Sequence, residues 1–165
     1  MVNVALASPF SGEGEKVYMS IDIPTDNDGY VLLQCSLCHE YFKVTPTDYQ
    51  DEGFLWLCCP NCGLIAENYL TEDVIELALD IAQNLVNGVI HANLKKLERQ
   101  IGGDSVTFKV GKKPQLVHEN PIYASIEALN IRSYRCCGRT AKIKPILQMT
   151  GSSCPFCGVK SFETE

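Results

Sequence analysis

The chain has 165 residues, 45% of them apolar and 21% charged, with a formal net charge of −6. That composition supplies enough apolar side chains for a buried core, which excludes a disordered chain, and it is too acidic for a general nucleic-acid coat. No apolar run is long enough to cross a bilayer, so a membrane span is excluded as well.

The first sixteen residues, MVNVALASPFSGEGEK, show neither a basic leader nor a sustained apolar stretch, so the expected location is cytoplasmic. Nine cysteines in a reducing compartment point to metal ligands rather than disulfides, and the odd count agrees. In chain order the first predicted element is a strand in KVYMSIDI, where Val17, Met19, Ile21 and Ile23 alternate. It belongs to an N-terminal β-rich segment.

Next come Cys35 and Cys38, twenty intervening residues, then Cys59 and Cys62 followed by Gly63. Two Cys-x-x-Cys turns at this separation can close four sulfurs around one ion at about 2.3 Å each. Gly63 tolerates the tight turn that lets backbone amides point at the sulfurs. The intervening stretch predicts strands His39 to Val44 and Phe54 to Cys58 around a polar turn with Pro46, Asp48, Asp51 and Gly53. Cys58 reads as a buried small residue in preference to a reactive thiol, and His39 is not needed as a ligand.

From Thr71 the pattern becomes helical. Val74, Ala78, Ile81, Leu85, Val89 and Ala92 form one apolar row, and Ile75, Leu79, Ala82 and Val86 form a second. Thr71, Glu72 and Asp73 suit the start, while Lys95, Lys96, Arg99 and then Gly102 and Gly103 suit the end. About thirty helical residues span about 45 Å, too long for two small hairpins to cover. Two readings follow: packing against the N-terminal strands, or a partner or homodimer helix over residues 72–101, with Asn87 and Gly88 marking a close crossing or a break. His91 reads as an ordinary helix residue.

A connecting segment from Asp104 to Asn130 leads to the second cysteine group: adjacent Cys136 and Cys137, sixteen intervening residues, then Cys154, Cys157 and Gly158. By its spacing to Gly138, Cys137 is the second sulfur of a knuckle, and the usual first position falls on Tyr134. Cys137, Cys154 and Cys157 are the expected ligands, completed by Cys136 or by a distant group such as His118, with Cys136 preferred. Two structural Zn²⁺ ions are therefore expected.

Two families share these motifs. The stretch CPNCGLIAEN is similar to the closing knuckle of the transcription factor B type zinc ribbon, over Cys35 to about Asn68. Arg135 through Glu163, with CPFCGVKSFE, resembles the rubredoxin-like tail of rubrerythrins. The first resemblance implies a structural zinc ribbon, and the second implies a four-sulfur iron that passes single electrons.

Charge divides the chain. Residues 1–90 hold two basic and fourteen acidic side chains, net −12, and residues 91–165 hold twelve basic and six acidic, net +6. In the basic half Arg132 and Tyr134 share one face of a predicted strand, Lys142 and Lys144 share one face of the next, and Arg139 sits beside the knuckle; the five form the candidate nucleic-acid surface. No Walker-type loop, Gly-x-Ser-x-Gly turn or His-Glu-x-x-His occurs, and no small-molecule substrate is evident, so an enzyme is not expected.

The resulting expectation is an α+β tandem zinc-ribbon protein. Its segments are 1–70 (N-terminal β segment and first ribbon), 71–103 (long helix) and 104–165 (connecting segment and second ribbon). The expected role is a non-enzymatic adaptor or regulator of protein assembly, with nucleic-acid contact through the second ribbon. The alternative is a rubredoxin-like iron electron carrier.

Overall fold

The computed structural model describes residues 2–7, 18–51, 56–101, 108–123 and 128–162. The protein is α+β and packs as two compact units: residues 1–74 with 122–165, and residues 75–121. Both cysteine groups belong to the first unit.

That unit opens with an antiparallel pair, β1 (Val2–Ala7) and β2 (Tyr18–Ile23), in which Val2 faces Ile23. Ile21 and Ile23 are buried, as their alternation predicts; Val17 lies outside the described residues. The centre is a four-stranded antiparallel sheet of order β3-β4-β6-β5, from β3 (Val31–Gln34), β4 (Tyr41–Val44), β6 (Thr140–Ile143) and β5 (Asn130–Ser133). Each ribbon contributes one hairpin. Val31, Leu33, Phe42, Val44, Ala141 and Ile143 share one face by register and are buried. Tyr69 covers this face, its ring edge-on to Phe42 at 5.5 Å.

The sheet has an internal two-fold relation that the sequence hardly advertises. Lys43 faces Lys142 across the β4–β6 pair, and Val44 faces Ala141. Each strand leads through a proline into a short helix, α1 (Pro46–Tyr49) or α3 (Pro145–Thr150). Proline has its φ preset for a first helical turn and lacks only an N–H that would be unpaired there. Thr45 caps α1, accepting from the Asp48 amide at 3.2 Å. The predicted polar turn around Pro46 and Asp48 is therefore a helical turn.

The predicted strand His39 to Val44 shortens to β4 because His39 sits at φ 57°, in the knuckle turn. The predicted strand Phe54 to Cys58 falls partly outside the described residues; Trp56 and Leu57 are not strand, and Cys58 makes a single bridge to Ile65. The Cys58 amide instead donates to the Pro155 carbonyl of the other ribbon at 2.7 Å. The last hairpin is β7 (Ser152–Ser153) with β8 (Lys160–Ser161).

Helix α2 runs unbroken from Glu72 to Ile101, through Gly88, with Glu72 and Asp73 in its first turn and Arg99 in its last. Val74 is its one residue described as buried. Within the second unit the Asn84 amide grips the extended chain at Val117, accepting from its N–H at 2.7 Å and donating to its carbonyl at 2.9 Å. Residues 108–121 have no regular secondary structure. Among the described residues no helix is long and apolar enough to cross a membrane.

Candidate metal centres

The first centre is built by two turns. Cys35 and Cys38 flank the bend between β3 and β4, where the Cys35 amide donates to the Glu40 carbonyl and the His39 amide to the Cys35 carbonyl. Cys59 and Cys62 flank the second bend, closed by the Gly63 amide on the Cys59 carbonyl at 2.8 Å. Gly63 takes φ 73°, a left-handed conformation, and a Cβ there would lie 2.9 Å from the Ser153 oxygen.

These turns bring all four sulfurs within 4.8 Å of one another. Cys38 and Cys59 are 3.6 Å apart, and Cys35 and Cys62 are 3.9 Å apart. Four thiolates around one ion at about 2.3 Å would stand about 3.8 Å apart, so the group is spaced to hold a tetrahedral metal.

The second centre repeats the backbone with one ligand displaced. The Tyr134 amide donates to the Arg139 carbonyl and the Gly138 amide to the Tyr134 carbonyl, the same two bonds that Cys35 makes in the first ribbon. Tyr134 therefore occupies the first knuckle position, as the spacing to Gly138 indicates. It is fully buried, its hydroxyl hydrogen-bonded to that of Ser152 at 3.1 Å. The fourth sulfur comes from Cys136, and Cys136, Cys137, Cys154 and Cys157 again lie within 4.8 Å. Cys137 and Cys154 are 3.6 Å apart.

The protonation pattern is the same in both. Burial pushes the Cys59 and Cys154 thiols well above the ordinary range, and burial with the neighbouring sulfurs pushes Cys157 up to about 11. Burial opposes ionisation of Cys38 and Cys137 too, but the amides of Glu40 and Arg139 and the neighbouring thiols outweigh it and pull both down. A metal entering either group must displace protons from the buried sulfurs, so its affinity falls as pH falls.

The two centres lock together. The Ser153 amide donates to the Pro60 carbonyl at 2.9 Å, the reciprocal of the bond from Cys58 to Pro155. Cys58 corresponds to Ser153; its sulfur packs 3.3 Å from where a Cβ on Gly158 would stand, and it is outside both metal groups. Burial raises its thiol as well. His39 and His118 are exposed and join neither group.

The five candidate nucleic-acid residues are engaged inside the protein. Arg132 is buried on the core face, donating to the Leu147 carbonyl at 3.1 Å and to Ser161 at 3.2 Å. Its guanidinium stands 5.6 Å from the centre of the Tyr134 ring. Arg139 bonds Asp48 at 2.8 Å and Asp51 at 2.9 Å, linking the second ribbon to the first, and Lys144 pairs with Glu40.

Lys142 is buried beside Lys43, and Asp26 receives both ammonium groups, at 2.8 Å and 3.0 Å. Partial burial works against ionisation of Asp26, but Lys142, the Tyr30 amide and Lys43 outweigh it and hold its carboxyl down to about 2. Sequence reading missed Asp26. The signal was DNDGY, an Asp that bonds its own loop: Asp26 also accepts from the amides of Asp28 and Tyr30.

No protein-family model, no curated protein and no solved structure matches this chain.

Proposed function

We propose that this protein is a non-enzymatic zinc-ribbon adaptor or regulator that acts in the assembly of other proteins. The reading rests on the two four-cysteine groups, whose sulfurs lie within 4.8 Å in each and whose ribbons share one sheet. A four-sulfur shell around zinc leaves no coordination position for a reacting water, so both ions serve structure.

Protein contact is the preferred mode. Nucleic-acid contact would require Arg132, Tyr134 and Lys142 to leave buried positions and Arg139 and Lys144 to leave carboxylate partners. A cytoplasmic location suits eight thiols kept reduced for metal.

Elemental analysis and native mass spectrometry of protein purified without added metal test this reading. Two zinc ions per chain is the expected result. One observation favours a second reading: Cys136 and Cys157 are exposed, as sulfurs that exchange electrons at a surface would be. Iron with a red colour and a reversible one-electron titration would replace the adaptor with a rubredoxin-like carrier.

A further inference from the structure

Helix α2 carries an apolar row that stands largely exposed among the described residues. Ile75, Leu79, Ile90, Leu97 and Ile101 are between 40% and 64% exposed, and Leu94 is 38% exposed. With half-buried Ala82 and Val86 they complete one stripe. Ile75, Val86 and Leu97 recur every eleven residues, as do Leu79, Ile90 and Ile101, so the stripe stays on one side of the helix for its whole length.

The row is also a palindrome. Counted outward from the height of Gly88, Val86 matches Ile90, Ala82 matches Leu94, Leu79 matches Leu97 and Ile75 matches Ile101. We infer that α2 pairs antiparallel with α2 of a second copy of this chain, about a two-fold axis at the height of Gly88. This deepens the adaptor reading by naming the helix's partner. An isologous contact needs each patch to be its own complement, and a palindromic row on a straight helix satisfies that along all eight positions.

Charge selects the direction. The first half of the helix carries Glu72, Asp73, Glu76 and Asp80, and the second carries Lys95, Lys96 and Arg99 against Glu98. Parallel pairing would lay four acids beside four acids. The antiparallel register sets the acidic first half beside the basic second half, with Asp80 at the height of Lys96, and it opposes the helix dipoles. The row would remove on the order of 1,200 Å² from water in a pair, the size at which specific interfaces begin.

Sedimentation equilibrium of the full chain at micromolar concentration tests the pairing. The expected mass is about twice that of the 18.3 kDa chain. Leu79→Glu should weaken the dimer at least about 100-fold, since two apolar contacts per pair are lost. Helical circular dichroism and metal content should stay unchanged. Combining Leu79→Glu with Leu97→Lys in one chain should restore the dimer, because each new carboxylate then faces a new ammonium of the partner.

A monomer for the unmodified chain would overturn the two-copy pairing, and a double variant that stays monomeric would overturn the antiparallel register. Metal stoichiometry on the same samples distinguishes either failure from failure of the zinc-ribbon reading.

Discussion

The two ribbons share a backbone but differ in where they keep their sulfurs. In the first, Cys35 and Cys59 are buried and Cys38 and Cys62 half-buried; in the second, Cys136 and Cys157 are exposed and Cys154 alone is buried. The exposure of Cys136 traces to one position. Cys35 gives both a sulfur and the hydrogen bonds that shape its turn, whereas Tyr134 keeps the hydrogen bonds, fills the core, and leaves the sulfur to its surface neighbour Cys136. A knuckle's shape is thus set by backbone bonds and packing, and the ligand can move. The second group is accordingly more open to solvent and to competing ligands.

The largest test of this contrast removes one sulfur from each ribbon. Cys59→Ser should abolish the first metal site and destabilise the first unit by roughly 5 kcal/mol or more, because metal binding and folding are coupled. Cys136→Ser should lower metal affinity at the second site while the fold persists. Urea denaturation with metal counting would read both, and equal losses would erase the asymmetry.

Next in size is the junction between ribbons. Asp26→Asn removes the carboxylate that Lys43 and Lys142 share, leaving Lys142 its second pairing with Asp28, and should cost about 2 kcal/mol. The same pairing has a pH signature. The Asp26 carboxyl titrates at about 2 in the folded protein against an ordinary 3.8, so its contribution is full above that ordinary value and is lost as pH falls toward 2. Stability of Asp26→Asn should therefore fall less between pH 4 and pH 2 than that of the unmodified chain.

Smaller effects probe the centres separately. A chelator should strip the second centre first, roughly tenfold faster than the first, since two of its four sulfurs face solvent. Stopped-flow metal release would show two phases, and alkylation mapping would find Cys136 and Cys157 modified in the fast one. Smallest is Tyr134→Phe. Losing the bond to Ser152 should cost about 1 kcal/mol in thermal denaturation, with metal content unchanged. A change in metal content would mean that Tyr134 does more than hold the turn.

The sequence was most informative where chemistry repeats at short range. Cysteine spacing marked both centres, the glycine after each closing knuckle marked the left-handed turn, and the displacement at Tyr134 was visible from its distance to Gly138. Helix α2 was visible from its periodicity and end charges, because those signals are local to each turn. Basic residues misdirected the reading: strand alternation placed Arg132 and Tyr134 together on a face, but could not say that the face was the core.

Residue order alone therefore determined the cysteine turns, the long helix and the α+β class, since each depends on residues only a few positions apart. Tertiary structure decided that β4 and β6 pair, so that ribbons about a hundred residues apart in sequence form one sheet. It also decided that Lys43 and Lys142 meet at Asp26 and that the reciprocal bonds of Cys58 and Ser153 join the knuckles. Those contacts depend on backbone hydrogen bonds between distant strands, which any residue type can make, and on ion pairs whose partners only the register brings within reach.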